Sequence, residues 1–395
     1  MVLPVPKIQR TLAIQGIDGW LLYDFHGSNP IAVKLAGLSG SGKLTSRRWY
    51  YFIPASGPPK KVVHVIEPSV LDHLPGDRVT YAGRRQLEQT VTDILRGCKV
   101  IAMEYSAECG IPYLSRVDGG TVDFLRRIGM RVVSSGDLVQ EFEASWDDAA
   151  IATHRAASER LYRIKDRAFE FLSTKLSAHE TPTEYEVQQS MVGWFRDEGL
   201  TSDAAPIVAS QENTSNPHYE PSRERSRPIG PNELVLLDLW GKLDQRGSVY
   251  ADITWTGFSG QPPEEVAKAF GVIVAGRDAA IARVQAAVRT GSEIQGWEVD
   301  RAARDVITAA GFGDYFIHRT GHSLGEEVHG NGVHMDDYET HDDRLLIKGT
   351  GFTIEPGVYL REFGVRTEIN MVVGEKSAEV TGPCQRTLVK IGTTR

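Results

Sequence analysis

Four acidic residues stand where acids are costly. Asp238 ends the apolar run Leu234-Val235-Leu236-Leu237, and Asp252 sits inside Val249-Tyr250-Ala251-Asp252-Ile253-Thr254. Glu355 lies in Phe352-Thr353-Ile354-Glu355-Pro356-Gly357, and Glu368 in Val365-Arg366-Thr367-Glu368-Ile369. A carboxylate in such a segment loses hydration unless it is paired or bound to a cation. If the first two segments form a hairpin centred on Gln245, Asp238 and Asp252 face each other directly, where like charges destabilise the pairing. A cation between them turns that repulsion into a binding site. The plainer alternatives are two unrelated acids on an exposed hairpin and an Arg366–Glu368 surface pair that contributes little. A second hairpin with the same feature weighs against both.

Between the two acidic pairs runs His318-Arg319-Thr320-Gly321-His322-Ser323-Leu324-Gly325-Glu326-Glu327-Val328-His329, three histidines in twelve residues. It is not the helical HExxH motif, and Gly321 argues against a helix there. Four carboxylates and an imidazole form an oxygen-rich donor set. It suits Mn²⁺, Co²⁺ or Zn²⁺ better than a soft metal, and it carries enough charge for two ions.

In this order and these contexts (LLDLW, YADITWT, HRTGHSLGEEVHG, FTIEPGVY, VRTEIN), the residues resemble the creatinase/aminopeptidase P/prolidase/methionine aminopeptidase family of metallopeptidases. The resemblance covers roughly the C-terminal 250 residues. It implies an α/β (α+β) architecture: a small creatinase-type domain over 1–146, then a pita-bread catalytic domain over 147–395. It also implies two divalent ions, manganese first and cobalt or zinc as alternatives. Asp252 and Glu368 would bridge them, Asp238 would complete one, and His322 and Glu355 would bind the other. A metal-bridging water or hydroxide would be the nucleophile and Glu355 the general base. His218, in Asn216-Pro217-His218-Tyr219, matches a substrate-contacting histidine that would stabilise the tetrahedral intermediate or assist the leaving nitrogen. His329 would lie beside the scissile bond and His318 would line the following pocket. Tyr359 and Arg366 match orienting positions. For His318 and Tyr359, plain packing is an equal alternative. The chain departs from the family pattern at Trp240, where glycine is usual two residues after the first acid. It departs again at Trp255, where arginine is usual, and in the thirteen residues between Asp238 and Asp252.

A creatinase-type first domain together with all five ligands implies prolidase or aminopeptidase P, with a proline-containing dipeptide or short peptide as substrate. A dipeptidase must read the free carboxylate of proline, and arginine does this bidentately. The Gly/Ser-rich stretch Gly37-Leu38-Ser39-Gly40-Ser41-Gly42-Lys43 leads to Arg47-Arg48. These arginines either close over an active site, that of the same chain or of a partner subunit, or decorate a strand edge. Xaa-Pro dipeptide hydrolysis is therefore the expectation. Aminopeptidase action on longer peptides is the alternative, and a non-catalytic peptide-binding module is the reading from another class.

The elements that must hold these residues fall into two textures. Up to about residue 145, Trp20 to Tyr23 and Val100 to Met103 look like buried strands, and Arg48–Ile53 and Val62–Ile66 flank a turn at Ala55–Pro59. After Trp146 come a helix over 148–176, a capping box at Thr183-Glu184-Tyr185-Glu186 with its helix ending at Gly199, and the first hairpin. A helix from Pro262-Pro263 to Gly291, another ending at Gly311, and strands 352–359 and 365–373 repeat that order, which suggests a pseudo-duplicated domain. The 395 residues carry a formal net charge of -8, with 41% hydrophobic and 24% charged residues. That balance gives no footprint for nucleic acid or an anionic membrane. No long apolar run and no signal peptide are evident. The three cysteines, Cys98, Cys109 and Cys384, form no metal-type pair. A cytoplasmic enzyme, a homodimer by family expectation, is anticipated.

Overall fold

A computed structural model describes residues 3–40, 42 and 45–392. Ser41 and Lys43 of the Gly/Ser-rich stretch, and Leu44 after it, lie outside the described residues. The chain divides into two compact units, Met1–Glu143 and Ala144–Arg395.

The first unit runs α1 (Val5–Gln15), β1 (Gly19–Asp24), α2 (Pro30–Leu35), β2 (Trp49–Pro54), β3 (Lys60–His64), β4 (Asp77–Tyr81), α3 (Arg84–Ile94), β5 (Val100–Met103), α4 (Gly119–Arg127), β6 (Arg131–Ser134) and a short α5 (Gly136–Val139). Its mixed sheet has the order β4-β3-β2-β1-β5-β6. Every residue of β1 is buried. Successive side chains enter opposite faces: Trp20 and Leu22 join a core with Ile8 and Leu12 of α1, and Leu21 and Tyr23 join one with Leu87 of α3 and Leu125 of α4. Cover on both faces explains a continuous apolar strand.

The second unit opens with α6 (Asp148–Ser177) and α7 (Glu184–Asp197). The Asp147 side chain caps α6 by accepting from Ala150 N. Thr183 and Glu186 form the expected box at α7. Short β7 (Leu200–Thr201) and β8 (Ile207–Ser210) precede the long hairpin β9 (Leu234–Leu243) and β10 (Ala251–Phe258). Next come α8 (Glu264–Thr290), stopped by Gly291 at φ +70°, and α9 (Gly296–Ala309). The chain then forms β11 (Gly351–Ile354), β12 (Gly357–Tyr359), β13 (Gly364–Arg366), β14 (Ile369–Val373), β15 (Ala378–Val380) and β16 (Val389–Lys390). Among the described residues, no helix is long and apolar enough to cross a membrane.

Three expectations need correction. Asp238 does not end its strand, because β9 continues to Leu243. The hairpin pivots at Arg246 rather than Gln245, since Gly241 pairs with Ala251. Gly247 at φ +78° and the Ser248 hydroxyl, 2.6 Å from the Leu243 carbonyl, fold the loop back one residue later. Asp238 therefore opposes Thr254, and Asp252 opposes Trp240. Directly opposed residues share a face, as do residues two apart, so the two aspartates are diagonal neighbours on one face. Third, the two strands of the second hairpin are four. The register of Ile354 with Ile369 and of Gly357 with Arg366 sets Glu355 opposite Glu368. The ladder breaks there because both amides bond elsewhere, Glu355 N to Thr320 O at 2.7 Å and Glu368 N to Thr254 O at 3.1 Å. Pro356 has no N–H to offer.

His154 of α6 ties this unit together. Its ring bonds the Tyr250 carbonyl at 2.8 Å and the Thr381 hydroxyl at 2.7 Å. Burial pushes its pKa down to about 4 from an ordinary 6.5. Between those values the unfolded chain holds the extra proton, so stability must fall as pH drops from 6.5 towards 4. The loss reaches roughly 3 kcal/mol at pH 4. His154→Gln, which cannot titrate, is expected to lose less stability than wild type between pH 7 and pH 5. Equal losses in urea melts at the two pH values would remove His154 as the cause.

Candidate metal centre

Asp238 and Asp252 arrive side by side from β9 and β10, and Glu355 and Glu368 from the two breaks in the second hairpin. The two hairpins are stitched together at this place. Thr254 Oγ1 donates to Glu368 Oε2 at 2.8 Å, and Asp252 N donates to Asn370 Oδ1 at 3.0 Å. The segment bearing His322 packs against β11. A Cβ on Gly321 would stand 2.0 Å from the Thr353 carbonyl oxygen, so only glycine fits before the histidine. Thr353 then uses its hydroxyl twice, accepting from His322 N at 2.9 Å and donating to Glu355 Oε1 at 3.1 Å.

His322 Nε2 lies 3.6 Å from Asp252 Oδ2 and 3.5 Å from Glu355 Oε1, too far for good hydrogen bonds. Its Nδ1 faces the Ser323 carbonyl at 3.1 Å. A carbonyl only accepts, so Nδ1 carries the proton and Nε2 presents a lone pair to the acids. Burial pushes this imidazole well below its ordinary pKa and keeps it neutral. One ligand atom each from Asp252, His322 and Glu368 lies within 4.8 Å of the others.

The carboxylates are held at a cost. Burial and then Glu368, Asp238 and Glu355 push Asp252 well above the usual carboxylate range. Burial, Glu355 and Asp238 do the same to Glu368. Burial raises Asp238 against the pull of Arg366, and raises Glu355 to about 7. Asp252 Oδ1 and Glu368 Oε1 are buried without a hydrogen-bond partner among the described residues. Orphaned anionic oxygens around a neutral imidazole fit a divalent cation, which would relieve both the repulsion and the missing bonds.

The remaining predicted site residues distribute as follows. Arg366 is buried, donates to Asp238 Oδ2, and reaches Thr254 Oγ1 at 3.0 Å and Tyr359 OH at 3.2 Å. Tyr359 OH meets His318 Nε2 at 2.9 Å. His318 and Tyr359 are thus joined to the acids by a hydrogen-bonded chain through Arg366. The exposed His329 sets its ring edge-on to His322, with centroids 4.4 Å apart. His218 is exposed on the loop after β8 and acts electrostatically on Asp238. Arg47 and Arg48 belong to the first unit. The Arg47 guanidinium bonds back to Ser46, and the Arg48 carbonyl accepts from Tyr81 OH at 2.8 Å.

Several supporting residues do not stand out in the sequence. Thr254 and Thr353 each lie two residues from a ligand, on the ligand's own face, and that spacing is a readable signal. Glu184 reads in the sequence only as part of a helix start. It is fully buried and accepts from Ser210 N at 2.7 Å, Tyr219 OH at 2.6 Å, Arg227 N at 3.1 Å and the Asn213 amide at 3.0 Å. It is the hub of the loop that carries His218.

Comparison with known proteins agrees with this geometry. The model of metallopeptidase family M24 matches residues 152–375. A probable dipeptidase PepE of Mycobacterium bovis is 28% identical over 265 residues, covering 67% of this chain and 65% of that protein. A Xaa-Pro dipeptidase of Lactobacillus helveticus is 39% identical over 163 residues, 41% of this chain and 40% of that protein. The matched stretches thus span less than two thirds of either relative. The crystal structure of dipeptidase PepE from Mycobacterium ulcerans superposes with a TM-score of 0.72 at 23% identity, over 98% of this chain and 97% of that one, which shows a shared fold.

Proposed function

The chain belongs to metallopeptidase family M24, and from that premise we propose that it hydrolyses Xaa-Pro dipeptides with two divalent cations, manganese first, held by Asp238, Asp252, His322, Glu355 and Glu368. The observation that carries the proposal is the convergence of four carboxylates, three buried and Glu355 half-buried, on a neutral imidazole, with two carboxylate oxygens that have no partner among the described residues. The dipeptidase names of the two relatives support a dipeptide as substrate. The order α6–α7 before one hairpin and α8–α9 before the other supports a duplicated pita-bread domain. The family expectation adds a cytoplasmic homodimer.

Asp238, Asp252, His322, Glu355 and Glu368 are the side chains that would hold the cations, with Asp252, His322 and Glu368 drawn together most tightly. When bound, the cations lower the pKa of a water and polarise the scissile carbonyl. Glu355, whose pKa burial raises to about 7 in the metal-free cluster, would be the carboxylate that accepts the proton of the attacking water. His218 and His329 present imidazoles that donate to the developing oxyanion and to the leaving proline nitrogen. The His318–Tyr359–Arg366 chain fixes Asp238 and walls the proline pocket. Arg47 and Arg48 offer guanidinium readers for the free carboxylate.

The test is hydrolysis of Ala-Pro against Ala-Pro-Ala by metal-stripped protein, with and without Mn²⁺. Mn²⁺-dependent cleavage of Ala-Pro alone is expected, along with its loss in Arg47→Ala or Arg48→Ala. Cleavage of the tripeptide too would move the assignment to an aminopeptidase. Cleavage of neither by Mn²⁺-loaded protein would overturn the assignment. Glu184→Gln puts an amide N–H against donors and should shift the His218 loop. The expected loss in kcat/KM is on the order of 10²-fold with Mn²⁺ affinity unchanged, because that loop carries no ligand. A parallel fall in metal affinity would contradict a role confined to His218.

A further inference from the structure

Trp240 faces the metal cluster from an unusual position. The hairpin register sets it directly opposite Asp252 and two residues from Asp238, so all three side chains share one face. It is half-buried, and it packs with Val328 against a small cluster of Trp146, Val249, Tyr250, Leu324 and Val372. The segment leading to His329 is anchored on the same hairpin, by Tyr250 N to Gly325 O at 2.8 Å and by Lys242 Nζ to the Glu326 carbonyl. Trp240 therefore stands between the two aspartates and the His329 segment. Its indole N–H donates to Asp203 Oδ1 at 2.7 Å, which holds both the ring and that exposed carboxylate in place.

Carboxylates gather around Tyr250, which packs in the same cluster as Trp240. Asp203, Glu327 and Asp252 act on Tyr250, and Asp203 acts on His329 beside Arg319 and His218. Lys242 is engaged by the Glu326 carbonyl and lies 5.0 Å from the centroid of the Tyr250 ring. Arg319 acts on Glu355, His322 and His329, on the side of the histidine segment, whereas Asp203 is bonded to the Trp240 indole. An indole face beside a fixed carboxylate attracts a cation through the ring quadrupole and through charge-assisted hydrogen bonds.

We propose that Trp240 and Asp203 select the first residue of the substrate and favour a cationic side chain there. The inference rests on the Xaa-Pro hydrolysis proposed above and names its substrate class as Arg-Pro and Lys-Pro.

The experiment compares Arg-Pro, Ala-Pro and Glu-Pro with Mn²⁺-loaded full-length protein, by kcat/KM and by calorimetric binding. Calorimetry reads the preference whether or not the bond is cut. The expected order is Arg-Pro over Ala-Pro over Glu-Pro, with about tenfold between the extremes. Asp203→Asn and Trp240→Leu should each shrink that ratio to about threefold or less, and Trp240→Phe, which keeps a ring, should retain more of it. Equal affinities and rates for the three dipeptides in wild type would overturn the inference while leaving the hydrolysis standing. A preference that survives both Asp203→Asn and Trp240→Leu would also overturn it. Charge-ordered binding without cleavage would support the inference and sink the proposed reaction.

Discussion

Asp252→Asn should make the metal-free protein more stable and the metal-loaded protein inactive. Asp252 is 5% exposed, and its Oδ1 has no partner among the described residues. Burial and three neighbouring carboxylates raise its pKa. Without a cation the side chain is either a repelled anion or an acid protonated against its nature, and both forms cost stability. Asparagine has nearly the same shape and no charge, and it brings N–H donors to a cluster whose Glu368 Oε1 has none. The expected gain is about 1–3 kcal/mol for the stripped protein. Adding Mn²⁺ should reverse the ranking, because only the wild type gains binding energy through its folded state. Hydrolysis of Ala-Pro should fall by at least roughly 10³-fold, the scale of several kcal/mol of lost charge stabilisation. Thermal melts of both proteins in EDTA and in Mn²⁺ decide the matter. A stripped variant that melts below stripped wild type would mean that Asp252 is stabilised by contacts and not strained by charge.

The same strain explains why the site was legible in the sequence. A carboxylate amid Leu, Val and Ile is a local conflict, and such conflicts collect at functional positions. Asp238, Asp252, Glu355 and Glu368 each announced themselves in this way. The helices were legible for a different reason, because Thr183 with Glu186 and the terminal Gly291 are short-range signals. What stayed hidden was set by individual hydrogen bonds, one inside a tight loop and the others between segments far apart in sequence. The pivot at Arg246 depends on Ser248 reaching back to Leu243. The breaks at Glu355 and Glu368 depend on amides spent on Thr320 and Thr254. Glu184 looked like an ordinary acid in the first turn of a helix, where acids are favoured by the dipole alone. Its partners, at the end of β8 and on the loop after it, lie 26 to 43 residues away.

Arg277→Met is expected to be the most damaging single change outside the ligand set. Arg277 lies on α8 with no exposed surface. Its Nη1 donates to Thr367 Oγ1 at 2.8 Å and to the Gln385 carbonyl at 2.7 Å, and Nε and Nη2 fork onto Asp278 Oδ1. Gln385 in turn accepts from Thr256 N at 3.0 Å and donates to Thr256 O, while Thr256 Oγ1 donates to the Arg366 carbonyl. One guanidinium therefore joins α8, β10 and the break between β13 and β14 at which Glu368 is aimed. Methionine fills similar space but supplies no donor, so the Gln385 carbonyl loses a charged partner where water does not reach. Asp278 is partly exposed and keeps Arg386, so it contributes little to the loss. Losing the two buried hydrogen bonds that the guanidinium makes to Thr367 and Gln385 costs about 2–4 kcal/mol, and a slackened Glu368 should weaken Mn²⁺ binding by about tenfold or more. Arg277→Lys keeps the charge but not the fork, so it should fall between wild type and methionine in both measurements. Urea denaturation of the stripped proteins reads the first effect and Mn²⁺ titration the second. If stability falls while metal affinity holds, Arg277 supports the fold alone and Glu368 is aimed by Thr254. If both fall together across methionine and lysine, the guanidinium sets the position of the bridging carboxylate.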